Sequence, residues 1–181
     1  MPAFFLTFIA VAFAMLAGRD ASRVARLRAT LGWGGPLLVT VLLAAFAGAT
    51  LAAWIAGELA PLIPPQFKPA VVAVALGLAG LEVLLRAAPK EAKEPTRSMG
   101  AITLVLLLGM VTDASGFTIL SLAIATGEPL LAAAGGALGA LVVLVGAILA
   151  GEDWQALPLK MLRLVVGCGL VLAAVLTFLL A

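Results

Sequence analysis

The sequence predicts an all-α polytopic membrane protein, with six transmembrane helices arranged as two inverted three-helix repeats. Three observations point there. First, 64% of the residues are hydrophobic and 11% are charged, whereas a soluble domain carries about a quarter charged residues. Second, the apolar residues fall into six runs, each near the roughly 20 residues that cross a bilayer as a helix. Third, the chain matches itself at an offset of 93 positions, the separation of Asp20 and Asp113.

The runs are Pro2–Leu27, Pro36–Ile55, Pro69–Leu85, Ser98–Ala125, Pro129–Ala150 and Leu164–Leu180. They are continuously apolar, alanine-rich and too long for strands of a barrel. Met1–Leu16 contains no Lys or Arg, so the basic start of a signal peptide is missing and the run reads as the first span. Pro36, Pro69 and Pro129 open three of the spans, in the first helical turn where a missing N–H costs nothing. A single membrane domain therefore covers residues 1–181. Repeat 1 spans about 2–87, a cytoplasmic linker about 88–97 and repeat 2 about 98–181.

Orientation follows from the basic residues. Arg19, Arg23, Arg26 and Arg28 flank the first loop, Arg86, Lys90, Lys93 and Arg97 the third, and Lys160 and Arg163 the fifth. Only Lys68 falls on the opposite side, so the positive-inside rule places both termini outside the cytoplasm, in a cell (inner) membrane. Trp33, Trp54 and Trp154 near span ends read as an aromatic belt. Cys168 lies in an apolar run and reads as inert packing. Small residues such as Gly135, Gly136, Gly139 and Ala140 form a surface for close helix approach. A homo-oligomer is compatible with this layout. The net charge of +2 sits in flanking loops, so no nucleic-acid partner is implied; the bilayer is the main partner.

The self-match joins Asp20-Ala21-Ser22 to Asp113-Ala114-Ser115 and Pro36-Leu37-Leu38 to Pro129-Leu130-Leu131. Three spans per repeat is an odd number, so the second repeat enters from the opposite face, as in many secondary transporters. Between Arg97 and Glu128 lie 30 residues whose one charge is Asp113. A straight helix of that length runs about 45 Å against a hydrocarbon core of about 30 Å. It must tilt, kink or break, and Gly109 and Ser115-Gly116 bracket Asp113 as break points. A lone aspartate at that depth is costly and reads as a functional site, or else as a paired or protonated structural group. Asp20 lies toward the cytoplasmic end of the first span, beside Arg19 and Arg23, and reads equally as an ion site or a local ion pair. Ser22, Ser115 and Thr112 add hydroxyl oxygens, which in a helix also bond the preceding turn. Glu82, four residues before Arg86, has the spacing of a surface ion pair. Glu58 and Glu128 read as solvated ends. No histidine is present, and there is no nucleotide loop, metal-ligand cluster or nucleophile–base–acid set, so an enzyme is not expected.

The aspartates stand in the stretches Ala17-Gly18-Arg19-Asp20-Ala21-Ser22 and Met110-Val111-Thr112-Asp113-Ala114-Ser115. In layout and in these positions the chain resembles the Golgi-type and bacterial calcium/manganese–proton exchanger family. Each repeat of that family carries Glu-x-Gly-Asp-Lys-Thr/Ser. Here its glutamates fall on Ala17 and Met110, and its lysines on Ala21 and Ala114. The resemblance implies exchange of a divalent cation, Mn²⁺ or Ca²⁺, for protons. Asp20 and Asp113 would bind the metal, with Ser22 and Ser115 as neutral ligands. Arg19 and Arg23 supply counter-charge, so the site is weaker in net charge than the family's. No cofactor besides the transported cation is implied. The alternative is a membrane scaffold or accessory protein that keeps the fold without transport, in which those arginines tie up both aspartates. A third reading is an exporter of a small metabolite.

Overall fold

The computed structural model describes residues 2–32, 34–85 and 98–180, and the regular structure among them is helical throughout. Helices α1 (Pro2–Ala17) and α2 (Arg19–Leu31) form a pair bent by 60°. They are followed by α3 (Gly34–Leu59) and α4 (Lys68–Leu85). A second pair, α5 (Met99–Thr112) and α6 (Ala114–Thr126), is bent by 48° and leads into α7 (Pro129–Ala150) and α8 (Leu159–Leu179). The order of bent pair, long helix and further helix thus occurs twice. Helices α3, α4, α7 and α8 are each long and apolar enough to cross a bilayer, as is each bent pair taken as one span. Large apolar side chains such as Phe5, Phe46, Leu104 and Leu179 are exposed on the outer faces, as suits a hydrocarbon surrounding and no aqueous one.

Local signals set the ends. Gly32 and Gly127 take the left-handed conformation, φ +67° and +68°, and their N–H groups close the last turns of α2 and α6 on Arg28 O and Ala123 O. Glycine adopts this conformation without the Cβ penalty. Ser98 caps α5 by accepting from Ala101 N at 3.4 Å. Pro129 starts α7.

The fourth predicted span does break, and it breaks at Asp113, whose backbone is extended between α5 and α6. The first span breaks as well, at Gly18, which the sequence reading did not foresee. The sixth span begins at Leu159, five residues before the predicted start, and takes in Lys160 and Arg163. Trp154 is buried in the main apolar cluster with α2 residues Ala21, Val24 and Ala25, instead of standing in an aromatic belt. Cys168 is exposed on α8 and is not packed. Trp33, Arg86 and the linker at about 88–97 lie outside the described residues, and with them the expected Glu82–Arg86 pair.

The halves are interlocked. Gly135 and Gly139 of α7 lie against the backbone of Phe4 and Phe8 of α1, so the two helices run parallel. In the same way α5 runs parallel to α3: Thr40 Oγ1 meets Met99 Sδ, and Gly48 lies under the Met110 side chain. The first helix of each half therefore packs on the long helix of the other. Helices α4 and α8 cross antiparallel, with Gly77 near Ala174 and Gly80 near Gly167. Glycine permits these backbone approaches, the source of helix attraction where lipid gives no hydrophobic drive.

Candidate functional site: a charged cluster at two helix breaks

Two helices that break inside a bundle leave backbone groups without intrahelical partners. Both breaks here are met by charged side chains. Helix α1 ends at Ala17, whose carbonyl accepts from Arg163 Nε of α8 at 3.1 Å. Helix α6 begins at Ala114, whose N–H donates to Glu82 Oε2 of α4 at 3.0 Å. Each of these residues satisfies an orphan group of a helix from the opposite half. Arg163 adds positive charge at the C-terminus of α1, and Glu82 adds negative charge at the N-terminus of α6, both favourable to the helix dipoles.

The breaks also meet each other. Arg19, the first residue of α2, donates from Nη2 to both oxygens of Asp113, at 3.2 and 3.1 Å. Its Nε lies 3.9 Å from Glu82 Oε1. Arg23, one turn on, donates from Nη1 to Asp20 Oδ1 at 2.8 Å. Asp20 and Asp113 are 3% and 8% exposed. Among the described residues the cluster brings three cations, Arg19, Arg23 and Arg163, to three anions, Asp20, Glu82 and Asp113, so these six groups balance by formal charge. Neutrality is what permits its burial: an uncompensated charge in such a position is strongly disfavoured.

The Asp20 carboxylate is seated on Gly109. A methyl group at Gly109 would stand about 2.5 Å from Asp20 Oδ2, so only glycine leaves room. Gly109 also accepts the Asp113 N–H at 2.8 Å, closing the last turn of α5. Beyond the break, Gly116 lies flat against the carbonyls of Met110 and Val111. These contacts fix the depth of the cluster. Asp20 touches Gly109, and the adjacent Met110 touches Gly48, the fifteenth of the 26 residues of α3. At 1.5 Å per residue, about 21 Å of α3 lies on one side of that level and about 17 Å on the other. Against α3 alone Asp20 stands near mid-length; Glu82 and Arg163, which meet the same breaks, are the fourth residue from the end of α4 and the fifth of α8, so the cluster lies toward the face that carries the arginines of α2.

The two aspartates are neighbours without being equivalent. Asp113 is the break residue of its pair, whereas the break residue of the first pair is Gly18, and Asp20 lies within α2. Gly18 and Asp113 are 95 positions apart, as are Gly32 and Gly127, and α2 and α6 each have 13 residues. The helix boundaries thus repeat at 95, two positions away from the 93 of the sequence match.

Of the predicted neutral ligands, Ser115 Oγ lies 3.9 Å from Met110 Sδ. Ser22 Oγ is buried without a hydrogen-bond partner and lines a separate cavity. Thr112 bonds back to Leu108 O at 2.8 Å. Among the described residues no three acidic, histidine or cysteine side chains form a metal cage. Arg19 and Arg23 do supply counter-charge, one aspartate each. Glu82 and Arg163 join them unexpectedly. Glu82 was masked by its helical spacing to Arg86, and Arg163 by its position just outside the sixth apolar run, although Pro158 before Leu159 signals the true helix start. Comparison with family models, curated proteins and solved structures gave no match.

Proposed function

We propose that the chain is a secondary transporter of small ions, with the cluster of Arg19, Asp20, Glu82 and Asp113 as its coupling site. One observation carries this reading: two bent helices break side by side inside the bundle, and buried ionisable groups from both halves converge there. Discontinuous helices with charges at their breaks are the recurring way to build an intramembrane ion site. The parallel packing of α1 on α7 and of α5 on α3 suits two repeats of inverted topology that rock against each other. Both termini then lie outside the cytoplasm.

Divalent cation–proton exchange, with Mn²⁺ or Ca²⁺, works on this site by competition. The ion takes Asp20 and Asp113 only as Arg23 and Arg19 release them, and protonation of a carboxylate likewise frees an arginine. The arginines act as internal stand-ins for the cation and keep the empty site neutral. Ser115 and the carbonyls at the break, Met110 O and Val111 O, add neutral oxygens toward the number that Ca²⁺ requires. Flux of Mn²⁺ and Ca²⁺ into proteoliposomes carrying a pH-sensitive dye tests the reading. Cation uptake with counterflow of protons, abolished by Asp113→Asn, is the expected result. Flux indifferent to Asp113→Asn removes the site assignment.

The ion pairs also favour a second reading, a membrane scaffold that keeps the fold and does not transport. In that case wild-type protein gives no flux for either cation at any imposed pH gradient, while its thermal stability still depends on the Arg19–Asp113 pair.

A further inference from the structure

Beside the charged cluster lies a cavity of about 880 Å³, bounded by α2, the end of α4, the turn at Gly151–Ala156 and the start of α8. Its polar wall is Ser22, Arg26, Gln155, Lys160 and Arg163. Three cations line it, and among the described residues no acid does. Glu152 and Asp153, in the same turn as Gln155, are exposed and outside the lining. Ser22 lines the cavity, but its Oγ is itself fully covered. The rest of the wall is apolar: Leu84, Leu85, Met161 and Leu164. Leu85, Met161 and Leu164 are among the most exposed side chains of their helices and face the lipid.

We infer that this cavity binds the phosphate headgroup of an anionic phospholipid. The polar wall offers what a phosphodiester requires: guanidinium groups, which match phosphate oxygens in a fork geometry, and an ammonium. The apolar wall continues outward along Leu85 and Leu164, where an acyl chain would lie. A free anion has no use for that half of the lining, so the lipid fits better. Basic pockets between helices on the positively flanked side of a membrane protein are a usual place for such headgroups. Arg163 links this cavity to the helix breaks, since its Nε also holds the Ala17 carbonyl. The inference is independent of whether the protein transports.

The test uses the full chain purified in a neutral maltoside detergent and native mass spectrometry with defined lipids. One phosphatidylglycerol should be retained, at least about tenfold more tightly than phosphatidylcholine of the same chains. The double variant Arg26→Gln, Lys160→Gln should bring phosphatidylglycerol down to the phosphatidylcholine level. Lys160→Gln alone, at an exposed residue of the wall, should weaken retention several-fold. Equal retention of the two lipids by the wild type overturns the proposal. So does displacement of phosphatidylglycerol by millimolar inorganic phosphate, which identifies a free-anion site. The wild-type lipid comparison and the Lys160→Gln variant decide the matter even if the double variant fails to fold.

Discussion

Arg19 and Asp113 join the two helix breaks directly: one guanidinium nitrogen at the start of α2 lies within 3.2 Å of both oxygens of the carboxylate between α5 and α6. The pair links the two halves of the chain inside the bundle. It also sets the energetic state of the site, because each member is the other's compensation in a buried place. Removing either one takes from the other a close, buried opposite charge.

Arg19→Gln and Asp113→Asn should therefore each destabilise the protein by about 3–5 kcal/mol, the usual loss when one partner of a buried pair is deleted. The double variant should lose much less than the two single losses together. Thermal unfolding of the four proteins in one detergent measures the coupling. Additive losses would show that the pair is only a proximity.

Gly109→Ala places a methyl group against the Asp20 carboxylate. Overpacking of this kind costs about 1–3 kcal/mol. Gly100→Ala on the same helix is the control, since the nearest neighbour there is Ser98 Oγ at 4.0 Å, and it should be neutral or slightly stabilising through helix propensity. Equal melting temperatures for the two variants would contradict the seating of Asp20 on α5.

Glu82 has two roles that substitution separates. Glu82→Gln keeps an oxygen for the Ala114 N–H and loses the charge beside Arg19, whereas Glu82→Leu loses both. The leucine variant should be the less stable by about 1 kcal/mol, the scale of a lost helix cap. Its amide exchange at the first turn of α6 should also be faster. Identical exchange there in the two variants would remove the capping role.

The sidedness set by the basic residues is open to chemical labelling. In a Cys168→Ala background, a single cysteine at exposed Gln66, in the turn before α4, should react with a membrane-impermeant maleimide on intact cells. A single cysteine at exposed Glu152, in the turn before α8, should react only after permeabilisation. The reverse pattern would invert the topology and place the lipid cavity on the outer leaflet.

The spans were legible in the sequence because a bilayer imposes length and apolarity on every crossing helix. The break at Asp113 was legible for a related reason: 30 residues between charges cannot cross straight. The break at Gly18 was hidden by Arg19, Arg23, Arg26 and Arg28, which read as the onset of a loop. In the fold, α2 stays helical to Leu31, buries Ala21, Val24 and Ala25, and turns Arg19 and Arg23 toward the cluster and Arg26 toward the cavity. The aspartates stand out in the sequence as lone acids of apolar runs, but their structural relation does not. Identical residues align at 93 positions and helix ends align at 95, so sequence identity and structural position part company at the break. The partners of Asp113 and of the broken ends come from α2, α4 and α8, and no local spacing encodes contacts between residues so far apart in the chain.

The interlocking of α1 with α7 has a consequence for how the protein is made. A ribosome releases Phe4 and Phe8 well over a hundred residues before the glycines they pack against. During that interval α1 has no partner for its inner face, and Arg19 enters the membrane region before Asp113 exists to neutralise it. The first half made alone should therefore be less stable than the whole chain. A gene split in the linker should yield two fragments that are degraded when made singly and rescued when made together.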